Sequence, residues 1–188
     1  MLEDSDLAAR AIENPDEYAP LVEKYEQPLL RYILRISNIS QEEGEDLLQN
    51  VFLKAYQNLN DFDGKLKFSS WIYRIAHNEV VSAWRRRSAR AGEINLEKAE
   101  AAKILCSTLD VPVRTDEKFL TESVREMLGK LPQKYREVLI LRFLEEKDYS
   151  EISDILHKPP GTVATLLNRA KRAFEQAARE ANLEKFLR

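Results

Sequence analysis

Apolar positions recur along this chain at steps of three and four, and no stretch alternates strictly enough to predict a strand. Ser5 to Glu13 reads as a first helix. Asn14-Pro15 then supplies a cap and a proline at a first helical position, opening a helix to about Ile36. Pro28 falls inside that helix and is expected to kink or divide it. Ser40 with Glu43 makes a capping box for a helix reaching about Leu59. Asn60-Asp61-Phe62-Asp63-Gly64 breaks the pattern. The next helix starts at Phe68 or Ser69 and ends in Arg85-Arg86-Arg87.

Residues 88–115 carry a different texture, and they read as a linker with a short helix between Leu96 and Leu105. A helix from near Thr115 to Leu128 should stop before Gly129. Pro132 opens the next, to Leu144. Segments from Ser150 to Leu156 and from Pro160 to about Ala178 complete the series. The fold class expected is all-α, with two small helical domains, residues 1–87 and 116–188, joined by residues 88–115.

The last two helices match each other. Ile152, Ile155 and Leu156 share one face of the first, and Val163, Leu166, Leu167 and Ala170 form a stripe on the second. Leu139 and Phe143 are expected to complete their core. His157-Lys158-Pro159 supplies a turn, and Pro160 takes a first helical position. This is the pattern of a helix-turn-helix. The outer face of the second helix carries Thr162, Thr165, Asn168, Arg169 and Arg172. Asn and Arg can read base edges, and Thr more often holds phosphate. An ordinary helical hairpin with a polar outer face would show the same spacing.

Composition narrows the picture. The 188 residues are 44% hydrophobic, enough for a buried core, and carry a single cysteine, Cys106. No internal disulfide and no cysteine-rich zinc site can form, and a reducing, cytoplasmic setting fits. Cys106 reads as an incidental linker residue. No run of about 18 apolar residues predicts a membrane span, and the acidic start Met1-Leu2-Glu3-Asp4-Ser5-Asp6 lacks the apolar core of a secretory signal. There is no phosphate-binding loop, no nucleophile paired with a base and no metal-ligand spacing, so neither an enzyme nor a cofactor site is expected.

The net charge of −3 is unusual for a free-standing DNA binder, but its distribution is uneven. Residues 65–90 hold Lys65, Lys67, Arg74, Arg85, Arg86, Arg87 and Arg90 against Glu79 alone. Glu42, Glu43, Glu45 and Asp46 form an acidic block upstream. The basic stretch also contains Phe68, Trp71, Tyr73 and Trp84. Rings interleaved with cations suit unpaired DNA, because bases stack on rings while the cations follow phosphates. Ile72, Ile75, Ala76 and Val80 mark a core face, and Trp71 or Tyr73 belongs to that core. His77 reads as a structural histidine.

The segments Glu45-Asp46-Leu47-Leu48-Gln49-Asn50-Val51-Phe52-Leu53-Lys54-Ala55-Tyr56 and Phe68-Ser69-Ser70-Trp71-Ile72-Tyr73-Arg74-Ile75-Ala76-His77-Asn78, followed by the helix-turn-helix, resemble bacterial RNA polymerase sigma factors of the extracytoplasmic-function group. The likeness runs from about Tyr18 to Arg87 and from Val124 to Phe174. It implies a first domain that docks on the clamp helices of the largest polymerase subunit through Asp46, Leu47, Gln49, Asn50, Phe52 and Lys54. The same domain would melt the −10 promoter element and hold it as a single strand through Asp61, Phe62, Lys65, Lys67, Phe68, Trp71, Arg74, Asn78, Arg85, Arg86 and Arg87. The second domain would read the −35 element through Thr162, Thr165, Asn168, Arg169, Lys171 and Arg172 and meet the polymerase flap. Promoter DNA, core polymerase and an anti-sigma protein are the implied partners, with no small-molecule substrate.

The chain departs from the pattern of the family it resembles after Gly161-Thr162-Val163. A basic residue, a serine and an arginine are common there, and Ala164, Thr165 and Leu166 stand in their place. More of the −35 grip would then fall to Arg169, Lys171 and Arg172. Lys158 also sits where an apolar turn residue is common. Two rivals stay open: a stand-alone helix-turn-helix regulator, and a sigma-like adaptor that binds polymerase without melting DNA.

Overall fold

A computed structural model describes residues 3–37, 39–62, 64–91 and 115–180, with backbone alone at 90–91 and 115–122. The expected linker helix from Leu96 to Leu105 and Cys106 lie outside these residues. All regular elements described are helical.

The front half begins with α1 (Asp4–Glu13), a tight single turn at Pro15–Tyr18, and α2 (Ala19–Ser37). The Asn14 side chain accepts from the Asp16 amide, as its capping role requires. Pro28 does not divide α2. Leu21, Tyr25, Leu29, Leu30 and Ile33 are buried on both sides of it, and this packing outweighs the hydrogen bond that proline removes. Helix α3 (Gln41–Gln57) starts from the expected reciprocal box between Ser40 and Glu43. Helix α4 (Phe68–Ala91) continues past Arg87, beyond the expected end. Between α3 and α4 a short turn at Leu59–Asp61 buries Leu59.

These helices bury Leu29, Ile33, Ile36, Leu48, Val51, Ala55, Ile72, Ala76 and Val80 against one another. Gly44 marks where α3 meets α2. A side chain there would come within 2.5 Å of Leu34 Cδ2, so the glycine permits the close approach.

The rear half comprises α5 (Thr115–Lys130), α6 (Gln133–Leu139), α7 (Tyr149–Leu156) and α8 (Pro160–Glu180). Helix α5 runs through Gly129 instead of stopping before it. The Arg136 guanidinium donates to the carbonyls of Leu128 (3.0 Å) and Gly129 (2.9 Å), satisfying acceptors that a helix end leaves open. The expected helix from Pro132 to Leu144 is regular only to Leu139, and Ile140–Leu144 forms a wider, π-type turn. The wider turn changes the facing of the residues after Leu139. Ile140 and Leu141 are buried, while Phe143, expected in the core, is 53% exposed with the Lys171 ammonium 5.4 Å from its ring centre.

Helices α7 and α8 form the helix-turn-helix. Ile152, Ile155, Leu156, Val163, Leu167 and Ala170 are buried as the periodicity predicted, and Leu166 is partly so. His157 makes the turn in the left-handed region (φ 51°), and Ser153 Oγ donates to the Lys158 carbonyl. The start of α7 has a feature the sequence reading missed: Asp148 and Glu151 cap each other reciprocally. An acidic residue followed three positions later by Glu, before an apolar run, was the available signal.

The two halves pack on each other. Helix α7 lies against α4, and the end of α6 reaches α2. The buried apolar cluster is continuous across this contact.

Candidate nucleic-acid interface

On α8, the side chains of Thr162, Thr165, Asn168, Arg169, Lys171 and Arg172 are all exposed. The buried stripe Val163, Leu167 and Ala170 turns them outward. The Thr165 hydroxyl donates back to the Gly161 carbonyl at 2.9 Å, which leaves its oxygen lone pairs toward solvent. Asn168 and Arg169 offer the amide and guanidinium forks that pair with base edges, a little over two turns in from the helix N-terminus. With Arg169, Lys171 and Arg172 this is a cationic face on an α-helix, the element a major groove admits.

The −10 candidates are placed less uniformly. Asp61, Lys65, Lys67, Asn78, Arg85, Arg86 and Arg87 are exposed. Phe68 is not: only 3% of its surface is accessible, so it is a core residue and not a direct DNA contact. It anchors an aromatic cluster, with Phe62 and Trp71 both at 5.4 Å between ring centres. Phe62 and Trp71 also contact each other at 5.4 Å and keep part of their surface accessible. The rim of this cluster is where a base could stack. Of Trp71 and Tyr73, Tyr73 is the core residue, 3% exposed. Arg87 pairs with Glu43 at 2.5 Å.

Arg74 does not point into solvent. Its Nε donates to the Asp154 carbonyl of α7 at 2.6 Å. Lys67 sits 3.6 Å from carboxylate oxygens of both Asp148 and Glu151. Two of the cations expected to hold single-stranded DNA are therefore engaged by the other half of the chain.

On α3, Asp46, Gln49, Asn50 and Lys54 are exposed and Phe52 is partly buried. Leu47 belongs to the core at 9% exposure and contributes little outer surface. Leu53 and Tyr56, which the sequence reading did not single out, are 55% and 39% exposed on the same helix. Large apolar residues lying off the Leu47, Leu48, Val51 and Ala55 stripe were the available signal. Lys54 pairs with the buried Glu79 at 2.5 Å, which ties α3 to α4.

The electrostatics between the halves centre on Glu145. Arg35 Nη1 lies 2.6 Å from Oε1, and the Tyr73 hydroxyl donates to Oε2 at 2.8 Å. The Glu145 side chain is 5% exposed. Burial, followed by the Glu145 charge, holds the Tyr73 hydroxyl protonated far above its ordinary range. Lys147 lies 4.5 Å from the Tyr73 ring centre, and burial lowers its pKa. His77 pairs through Nδ1 with the Tyr32 hydroxyl at 3.3 Å. Burial, with Lys158 adding repulsion, depresses the His77 pKa to about 4. It is thus the structural histidine expected.

A helix-turn-helix reader packed beside a basic, aromatic helix defines a protein that handles DNA in both paired and unpaired form. Residues 21–90 match the family described as Sigma-70 region 2, and residues 121–174 match Sigma-70, region 4. The chain is 31% identical over 176 residues to the ECF RNA polymerase sigma factor SigW of Bacillus subtilis, covering 88% of this chain and 90% of that one. It is 32% identical over 165 residues to the RNA polymerase sigma-H factor of Pseudomonas aeruginosa, covering 84% and 83%. Among solved structures, CnrH in complex with the cytosolic domain of CnrY matches with a TM-score of 0.68 at 24% identity, over 94% of this chain and 97% of that one. The sigma factor RpoE of Bartonella quintana, in complex with the anti-sigma factor NepR, matches at 0.69 and 19% identity, over 87% and 97%. The chain belongs to the extracytoplasmic-function group of RNA polymerase sigma factors.

Proposed function

We propose that this protein is an alternative sigma factor: it binds core RNA polymerase, directs it to promoters with −35 and −10 elements, and promotes their melting. The observation that carries this reading is the pairing in one chain of an exposed Asn168–Arg169–Arg172 face on a helix-turn-helix with a rim of rings, Phe62 and Trp71, beside exposed cations. The first face suits duplex DNA and the second suits unpaired bases.

The roles divide along the chain. Residues 1–87 act as the polymerase-docking and −10 domain, residues 88–115 as linker, and residues 116–188 as the −35 domain. Asp46, Gln49, Asn50, Phe52 and Lys54 form the docking face on the clamp helices, extended by Leu53 and Tyr56. Trp71, Asn78, Lys65, Lys67, Arg74 and the arginines from Arg85 to Arg87 hold the melted −10 strand, with Asp61 and Phe62 shaping a pocket for an extruded base. Phe68 supports that pocket from beneath. Thr162, Thr165, Asn168, Arg169, Lys171 and Arg172 read the −35 element, and the rear half meets the polymerase flap. Each DNA surface is small, and polymerase raises their joint affinity by holding both at a fixed separation. Opening the duplex costs unstacking energy that base capture offsets.

The protein carries out no bond chemistry of its own, requires no cofactor, and works in the cytoplasm. No described helix is long and apolar enough to cross a membrane. An anti-sigma protein that covers the polymerase and DNA faces is its expected regulator, by analogy with the complexed CnrH and RpoE structures.

Run-off transcription with bacterial core polymerase on a promoter library, combined with permanganate footprinting of unpaired thymines, tests this function. The expected result is transcripts downstream of a shared two-part element, with reactive −10 thymines that disappear in Trp71→Ala and Asn78→Ala. Polymerase binding without melting on any template would identify an adaptor instead. Tight binding to duplex DNA without polymerase would identify a stand-alone regulator.

A further inference from the structure

Helix α1 has no part in the roles proposed so far, yet the structure ties it to the rings of the base pocket. Its buried residues are Ala8 and Ala11, with Leu7 partly covered. The helix packs on α2, on α4 and on the turn Leu59–Asp61, so it touches the segment that carries Asp61 and leads into Phe62. Its first turn presents Asp4 to α2. The Tyr25 hydroxyl donates to Asp4 Oδ2 at 2.6 Å, and the Lys24 ammonium pairs with Asp4 Oδ1. Tyr25 is 6% exposed, and its ring centre lies 5.6 Å from that of Phe68. Phe68 in turn meets Phe62 edge-on and Trp71 at a tilt.

We infer that α1 is a brace for the base pocket, with Asp4 and Tyr25 as its positioning residues: the Asp4 carboxylate fixes the Tyr25 ring, and that ring fixes Phe68 beneath Phe62 and Trp71. The assignment rests on reading Phe62 and Trp71 as the rim where an extruded base is held. The contacts form an unbroken series from a carboxylate on α1 to the two rings that keep accessible surface. Tyr25 acts through Phe68, and Asp4 acts through Tyr25.

A tyrosine ring held at one end can pivot about its side-chain bonds, whereas Tyr25 is held at both its ring and its hydroxyl. Aromatic pairs favour offset or edge-on geometry, so a ring that shifts carries its neighbours with it. The local backbone supplies less restraint than usual. Pro28 lacks the amide hydrogen that would bond the Lys24 carbonyl, so the turn of α2 bearing Tyr25 is missing one bond of its ladder. The bond to Asp4 secures that turn from outside the helix. Burial, followed by Asp4, holds the Tyr25 hydroxyl protonated far above its ordinary range, which keeps it a donor. A hydrogen bond from a hydroxyl to a carboxylate is among the stronger side-chain restraints. The Lys24 side chain is 50% exposed, and its pairing with Asp4 adds little.

The test uses the full chain with its two tryptophans, Trp71 and Trp84, replaced biosynthetically by 5-fluorotryptophan. Fluorine resonances read both rings in the free chain. Trp84, whose indole donates to the Ser37 carbonyl at 3.3 Å, serves as the internal standard. Holoenzyme on a promoter fork with 2-aminopurine at the extruded −10 position reads base capture, and fluorescence anisotropy reads polymerase affinity. Tyr25→Phe keeps the ring and loses the hydroxyl, and Asp4→Ala removes the acceptor. Each should move the Trp71 resonance and leave that of Trp84. Each should also weaken base capture about fivefold, the worth of one hydrogen bond, with polymerase affinity unchanged. The double variant Asp4→Ala/Tyr25→Phe should lose no more than either alone, because both remove the same bond. Asp4→Asn, whose amide oxygen still accepts, and Lys24→Ala should stay within about twofold of wild type. A Trp71 resonance unmoved by Tyr25→Phe overturns the brace. A moved resonance with base capture intact overturns its role in the pocket. Polymerase affinity that falls in parallel with capture would mark a general loss of folding and overturn the positioning role. If the wild-type holoenzyme captures no base on any fork while the Trp71 resonance moves as stated, the sigma-factor reading fails and the brace stands.

Discussion

The two DNA faces proposed for this molecule are built from similar residues and held in opposite ways. On α8, Asn168, Arg169 and Arg172 project from a rigid apolar stripe into solvent. On α4, Arg74 is tied to Asp154 and Tyr73 is buried under Lys147, while Lys67 just before it faces Asp148 and Glu151. Duplex DNA presents its groove edges without preparation, so a reader can stand ready. Unpaired bases exist only after melting, and a face that captures them can be covered until then. The difference teaches that availability, and not composition, separates the two faces.

The severest way to break the comparison is to remove the scaffold of one face. Leu167→Ala, at a site 1% exposed, should cost about 2–5 kcal/mol through lost burial and the cavity left behind. Urea unfolding followed by circular dichroism measures this, and a loss below about 1 kcal/mol would show that α8 is not anchored as described. Arg169→Ala comes next. Loss of a base-reading fork should weaken holoenzyme binding by about 1–3 kcal/mol at one −35 position only. Competition between single-base variants of the −35 element measures it, and a uniform loss across all sequences would make Arg169 a phosphate contact.

Asp148→Ala sharpens the other side. It removes the cap of α7 and one partner of Lys67 together, so amide exchange at Glu151 and Ile152 should quicken about fivefold. Unchanged protection would place the cap's stabilisation elsewhere. The smallest effect is one of pH. His77 has its pKa lowered to about 4 by burial, next to Tyr32 on α2 and Lys158 at the rear half's turn. Its neutral form is favoured in the folded chain, so the stability it contributes is complete above about pH 6.5 and is lost as pH falls toward 4. At about pH 6 the loss should be about 0.8 kcal/mol. The difference between wild type and His77→Gln in unfolding free energy, from about pH 7.5 to about 6, isolates this contribution, and parallel profiles would refute it.

Helix positions and the main buried stripes of each half were legible in the sequence, because apolar period and caps are local signals. Ser40 with Glu43, Asn14 before Pro15 and the Ile152–Leu156 face all form as their spacing requires. The errors arise from contacts and turn geometry that neither apolar period nor cap spacing encodes. Helix α5 passes Gly129 because Arg136, from the following helix, satisfies its end. Phe143 leaves the core because a wider turn shifts its facing, which no periodicity count contains. The aromatic-rich stretch near Trp71 was visible, but which ring is interior depends on packing: Phe68 against Tyr25 and Phe62, and Tyr73 against Tyr32. The bond from Arg74 to Asp154 joins positions far apart in the chain, and nothing in either segment announces it.

Gly44 has a consequence for how mutational screens of this protein are to be interpreted. It lies on the inner side of α3, against Leu34, while Asp46, Gln49 and Asn50 lie on the outer side. An alanine there would displace Leu34 or lift the helix, and the outer side chains would move with it. A selection for lost polymerase binding would therefore recover Gly44 alongside true contact residues, although a glycine facing the interior touches no partner. Suppressors at Leu34 that shorten its side chain would expose such an allele as a spacing defect, whereas suppressors in polymerase would mark the contacts themselves.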